Sequence, residues 1–165
     1  MNKLFRPLGI TFLLGVAFIF HSCTPDGHER NWQPVDLTSY GAPLSILAPT
    51  DAVIKSGSLK SALLKDLTIK GGDDYNIQLF YSPAITNDIA KLKNDHLQNV
   101  QSNRYFRKIV REEVAGFIYQ SVIDTTETYG FHFTKLQGDL EFNFQTGMST
   151  LFSLEDVQMM YEAVK

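Results

Sequence analysis

Cysteine is nearly absent: Cys23 is the single one in 165 residues. A lone thiol makes no internal disulfide, so everything after it is held by packing alone. That stretch has no cysteine nucleophile, no His-Glu-x-x-His, no glycine-rich phosphate loop and no Gly-x-Ser-x-Gly elbow, so the common short catalytic signatures are missing. An excess of one charge is also lacking. Fifteen basic and 18 acidic residues give a formal charge of −3, without the concentrated basic face that nucleic acid requires. No long hydrophobic run exists either. The longest, Leu8 to Phe20, covers 13 residues, too few to cross a bilayer as a helix.

That short run has a meaning of its own. Lys3 and Arg6 precede it, and His21-Ser22 leads from it into Cys23. A positive start, an apolar centre and a small residue before a processing point make up a secretory signal. The segment resembles a bacterial lipoprotein signal. Ser22 fits the small residue expected before the cysteine, while Phe20 stands where a leucine-like residue is usual. The resemblance implies removal of residues 1–22, acylation of Cys23 as the lipid attachment residue, and anchoring in the bacterial cell envelope. Thr24, in place of the aspartate that retains many such proteins at the inner membrane, implies the periplasmic face of the outer membrane. An ordinary cleaved signal, leaving a free thiol at Cys23, is the alternative.

Lys3 and Arg6 are the only charged residues of the signal, so 13 basic and 18 acidic side chains remain after it, a formal charge of −5. Such a surface is not drawn to anionic lipid, which leaves Cys23 as the membrane attachment. A hydrophobic fraction of 44%, with 12 Phe and 7 Tyr, supplies a core for one domain. Residues 24–34, with two prolines and a glycine, read as a flexible tether after Cys23. Residues 35–165 then form a single domain. Trp32 in the tether is expected to pack on the domain edge or to lie at the lipid interface.

Along that domain, Pro43–Ala48 reads as a strand closed by Pro49-Thr50-Asp51, and Ala52–Lys55 as a short returning strand. Residues 59–65 are open between a helical turn and a loop. Asp66–Lys70 and Tyr75–Tyr81 flank Gly71-Gly72-Asp73-Asp74 as a hairpin. A helix is predicted over Thr86–Gln101, capped by Thr86. Its buried stripe is Ile85, Ile89, Leu92, His96, Leu97 and Val100, and its wet face carries Lys91, Lys93, Asn94, Asp95 and Gln98. Four strands follow at Tyr105–Glu112, Ala115–Ile123, Tyr129–Leu136 and Leu140–Thr146. Their alternation of Phe131 and Phe133 with His132 and Thr134 predicts one wet face. Ser153 caps a last helix, with Asp156 in capping-box position and a stripe of Leu154, Val157, Met160, Tyr161 and Val164. The fold class is α+β: an antiparallel sheet of N-terminal strands and a four-strand meander, covered by two helices.

Candidate chemistry is thin, and no catalytic, cofactor or metal residue is assigned. His28 lies in the tether. His96 is on the helix stripe and reads as a satisfied, partly buried side chain. His132 is on the strand face opposite Phe131 and Phe133. A His96/His132 metal pair would need both on one wall with a carboxylate. Asp73-Asp74 suit a turn as well as a calcium ion, for which two carboxylates are too few. Glu112 and Glu113 are adjacent on a strand and point to opposite faces, so they make no paired-carboxylate site. A hydrolase would require Asp124 or Asp139 to meet His132 beside a serine. The aromatics Phe117, Tyr119, Tyr129, Phe131, Phe133, Phe142 and Phe144 exceed a minimal core, and tyrosines at the sheet rim offer a groove.

The element order, carried by Leu44–Pro49, by Tyr75–Tyr81 leading into Pro83 and the helix, and by Phe152–Val164, resembles the PsbP/Mog1-type fold. A cystatin-like arrangement also places a helix before a meander. The PsbP/Mog1 resemblance implies an assembly or accessory role, and it transfers no functional residue. The whole chain is similar to small envelope lipoproteins of Bacteroidota. The expectation is therefore a non-enzymatic, membrane-anchored domain that binds a protein partner in the envelope, with an aromatic-lined groove for a small ligand or lipid as the alternative.

Overall fold

A computed structural model describes residues 31–57, 63–148 and 150–165. The expected signal, Cys23 and the tether up to residue 30 lie outside these residues, as do residues 58–62 of the undecided stretch. The elements in chain order are β1 (Trp32–Asp36), a 3-10 turn (Thr38–Tyr40), β2 (Ser45–Pro49), β3 (Val53–Ser56), β4 (Lys65–Gly71), β5 (Tyr75–Pro83), α1 (Ile89–Gln101), β6 (Phe106–Glu112), β7 (Gly116–Ile123), β8 (Thr126–Gln137), β9 (Leu140–Thr146) and α2 (Leu154–Ala163). Strands dominate. The α+β class and the antiparallel meander hold, whereas the layout is not the specific PsbP/Mog1 one.

Seven strands make one antiparallel sheet in the order β3-β4-β5-β9-β8-β7-β6, and β1-β2 form a separate ribbon. The hairpins need their turns. Gly72 (φ 61°) and Gly138 (φ 58°) take the left-handed backbone between β4 and β5 and between β8 and β9. The two halves of the sheet join where β5 pairs with β9, Leu79 opposite Phe144 and Tyr81 opposite Phe142. Leu67, Ile69, Ile77, Leu79, Phe131, Phe142 and Phe144 then line one face with almost no exposure. On that face sit α2 and the ribbon. Ser153 and Asp156 cap α2 reciprocally, and its Val157, Met160 and Tyr161 are fully buried. Tyr161 meets Phe131 and Phe133 edge-on at 5.9 and 5.6 Å. Trp32 packs edge-on against Tyr75 at 5.0 Å, while the Tyr75 and Tyr81 hydroxyls donate to the carbonyls of Leu47 (2.7 Å) and Tyr40 (2.8 Å). The first strand among the described residues thus starts at Trp32, three residues before the domain start read from composition.

The opposite face departs from expectation. It is not wet along the meander, because α1 lies across β6 and β8. Thr134 is 1% exposed and Glu141 8%, although both alternate with apolar neighbours as solvent-facing residues do. The helix itself begins at Ile89 with Asp88 as its cap, the carboxylate accepting from the Lys91 backbone N–H at 2.9 Å. Thr86 accepts instead from the Asp88 backbone N–H, so the chain turns before the helix starts. Ile85, placed on the stripe by periodicity, is 86% exposed. Lys93, placed on the wet face, is 7% exposed and pairs with Glu112 at 2.5 Å. Its ammonium tucks under α1 toward β6, where one carboxylate replaces its water.

Glu112 is half-exposed, so the charges are unequal in what their removal leaves behind. Glu112→Ala strands a buried ammonium and is expected to cost about 1–3 kcal/mol, whereas Lys93→Met removes the charge, fills the same space and stays within about 1 kcal/mol of the parent. Urea midpoints of both variants check this. Equal losses, or a larger loss for Lys93→Met, would contradict it.

Candidate functional site

The polar face beneath α1 is a connected network. Asn143 on β9 is opposite Thr134 on β8. Its Nδ2 donates to the Glu141 carboxylate at 2.6 Å, which fixes the amide so that Oδ1 faces the helix. There Oδ1 accepts from Thr134 Oγ1 at 2.9 Å and lies 3.0 Å from His96 Nε2. An amide oxygen only accepts, so His96 Nε2 carries the proton. One register step along the sheet, Phe117, His132, Gln145 and Gln78 form a cross-strand row, with Gln145 Nε2 donating to Gln78 Oε1 at 3.3 Å.

His96 and His132 therefore do share one wall. Their rings stack with centroids 5.1 Å apart and planes 18° from parallel. Phe117 and Tyr119 complete the surround at 5.4 and 6.1 Å from the His132 ring. Among the described residues no group of three His, Cys, Asp or Glu side chains comes together to hold a metal ion. Burial, followed by the neighbouring His96, pushes the His132 imidazole down to about 3, so it is neutral at physiological pH. Asp124 and Asp139 sit in the turns at opposite ends of β8. Each is seven or eight residues from His132, about 25 Å along an extended strand, so neither meets it. Glu112 and Glu113 point to opposite faces as expected: Glu112 to Lys93 on α1, Glu113 to Lys165 at 3.0 Å and to Arg111 beside α2.

Beyond His132 the helix ends and the sheet continues. The overhang shelters an open-sided cavity of about 400 Å³. Asn99, Val100 and Asn103 form its roof at the C-terminal end of α1. Tyr119 and Ser121 on β7, Thr128 and His132 on β8, and Gln145 and Thr146 on β9 form its floor, while Tyr105, Tyr129, Met148 and Leu151 border it at the sides. Gly147 and Phe152 are each held by a backbone bond: Gly147 N–H donates to Asn76 O (2.8 Å), and Tyr129 N–H donates to Phe152 O (3.1 Å). Tyr119 owes its position to Gly130. A Cβ at Gly130 would sit 2.5 Å from the Tyr119 hydroxyl and 2.6 Å from Cζ, so only a glycine lets the ring lie flat across β8. Burial pushes the Tyr119 phenol up, and a hydrogen bond to Thr146 partly offsets it. Tyr119 and Tyr129 were in the aromatic excess noted from sequence. Gly130, Asn99, Asn103 and Gln145 carried no signal there, because their roles come from register and from where α1 stops.

Among the described residues the cavity lining combines tyrosines, three amides, several hydroxyls and a neutral imidazole, with no Asp, Glu, Lys or Arg.

The depressed His132 links stability to pH with a definite sign. The unfolded chain protonates this histidine near 6.5, whereas the folded protein holds it neutral to about 3. Stability therefore falls as pH drops below 6.5, and this loss stops growing near pH 3. His132→Phe keeps the ring and removes the titration. Between pH 7 and pH 4.5 the stability difference is expected to move in favour of the variant by about 2 kcal/mol, read from urea melts at both pH values. Parallel pH dependences would contradict it.

No protein-family model, curated protein or solved structure is similar enough to this chain to count as a match.

Proposed function

We propose that this protein is a non-enzymatic binding module of the bacterial envelope, tethered through acylated Cys23, and that its folded domain holds a small molecule in the cavity between α1 and the sheet. The single observation carrying the reading is that cavity. It is of ligand size, walled by tyrosine rings and dotted with amide and hydroxyl groups, the mixture of apolar surface and few directed polar groups that small-molecule sites use. Its imidazole stays neutral, and among the described residues no carboxylate or amine lines the cavity to form an acid–base pair. Among the described residues no helix is long and apolar enough to cross a membrane, so the envelope address rests on the resemblance of residues 1–23 to a lipoprotein signal.

A protein partner is the second reading. An open groove between β2 and α2, formed by Trp32, Leu47, Met159 and Ala163, favours it. Other exposed apolar side chains (Val53, Ile85, Val114) are on separate elements rather than gathered around that groove.

Two measurements test the proposal. Native mass spectrometry of the full chain, purified from envelopes in mild detergent, is expected to show a bound species heavier than the acylated protein by a small molecule. A stoichiometric protein companion with no small molecule would reverse the order of the two readings. For the anchor, Cys23→Ala is expected to abolish acyl labelling and to lose the membrane-bound fraction that resists alkaline carbonate. A variant still resistant would overturn the anchor.

A further inference from the structure

The same cavity narrows the class of its ligand. Resting on the ligand-binding reading above, the geometry points to a neutral saccharide: an uncharged ring bearing several hydroxyl groups. Three features converge on that chemistry.

The first is the charge of the lining. A charged ligand leaving water for a pocket without a counter-charge pays desolvation with nothing to offset it. His132 supplies no cation, because its surroundings, stacked against His96, Phe117 and Tyr119, disfavour the protonated form. Arg104 is outside the lining and exposed, its guanidinium engaged by the Tyr105 hydroxyl and ring.

The second is the polar inventory. Gln145 uses Nε2 on Gln78, which leaves Oε1 to accept. Asn103 uses Oδ1 on the Tyr105 backbone N–H, which leaves Nδ2 to donate. Donors and acceptors are thus interspersed over one small wall. A hydroxyl is both donor and acceptor, so neighbouring ring hydroxyls satisfy such a wall in full. A fatty acyl chain would bury these amides without partners, which costs more than its apolar contacts return.

The third is the flat surface. Tyr119 lies against the sheet because Gly130 has no side chain. It offers a phenol face to the C–H side of a ring, whose faces are apolar while its rim is polar.

The test uses the full lipidated protein in detergent micelles on a glycan array of neutral, acidic and amino saccharides from monosaccharides to longer oligomers, followed by calorimetric titration of the strongest hit. Binding to neutral glycans is expected. Length dependence on the array separates a free sugar, bound as a mono- or disaccharide, from the end of a polymer, bound only as longer chains. Asn99→Ala, at an exposed helix position, is expected to weaken binding about three- to tenfold without altering the fold. Gly130→Ala, which displaces Tyr119, is expected to weaken it at least tenfold, with circular dichroism and urea melts reporting whether the fold is kept. Binding only to acidic or amino glycans, or neutral binding unchanged in Asn99→Ala and in a folded Gly130→Ala, would overturn the saccharide assignment. Silence on the array, with a non-sugar small molecule retained in native mass spectra, would overturn the saccharide while leaving the ligand-binding reading intact. Silence on the array together with an empty native spectrum would overturn both.

Discussion

The amide of Asn143 joins the two halves of the architecture. Its nitrogen holds Glu141, its oxygen receives Thr134 and His96, and through His96 it fixes where α1 crosses the sheet. A helix lying on an apolar surface can slide by a residue at little cost, whereas one bonded through a buried amide cannot move without leaving polar groups unpaired. The position of α1 decides how far its last turn projects beyond His132. That projection, carrying Asn99, Val100 and Asn103, is the roof of the cavity. The site thus depends on a polar contact several residues away from it.

Charge pairs set the two helices in a complementary way. Lys93 and Glu112 tie α1 to the edge strand β6. On the other face, Glu113 accepts from Lys165, and Arg111 reaches Glu162 at 2.6 Å, with both cations over the Tyr161 ring at 5.2 Å. The surroundings, burial first and then Glu113, push the Tyr161 phenol well above its ordinary range, so it stays a donor to Glu113. Two adjacent glutamates on one strand end therefore serve two helices on two faces. Strand alternation alone produces this division.

How much of this was legible in the sequence follows the locality of each signal. The capping box at Ser153 and Asp156, the glycine turns and the stripe of α2 are read within a few residues and appear as expected. The meander is also local, since each of its strands pairs with its neighbour in the chain. Pairing of β5 with β9 is not, and it decides that Gln78 faces Gln145. Alternation at His132 and Thr134 marks two faces but does not say that a helix covers the polar one. For the same reason Lys93 looks like a surface lysine until Glu112 is placed beneath it. Gly130 is silent in sequence because its meaning lies in Tyr119, its cross-strand partner.

A site made from the uncovered end of a polar network has a consequence for its chemistry. The groups under α1 are already paired with one another, and those beyond it, on the same sheet face and of the same types, extend the pattern into the cavity with valences unspent. Gln145 stands at the boundary, bonded on one side to Gln78 and open on the other. The ligand proposed for the cavity would continue there the bonding that α1 supplies over the rest of the face. His132, at the same boundary, is held neutral by burial and by the His96 ring stacked on it. Recognition requires groups that are fixed, uncharged and incompletely bonded. The residues beyond α1 meet that requirement because the network behind them leaves them little freedom to do anything else.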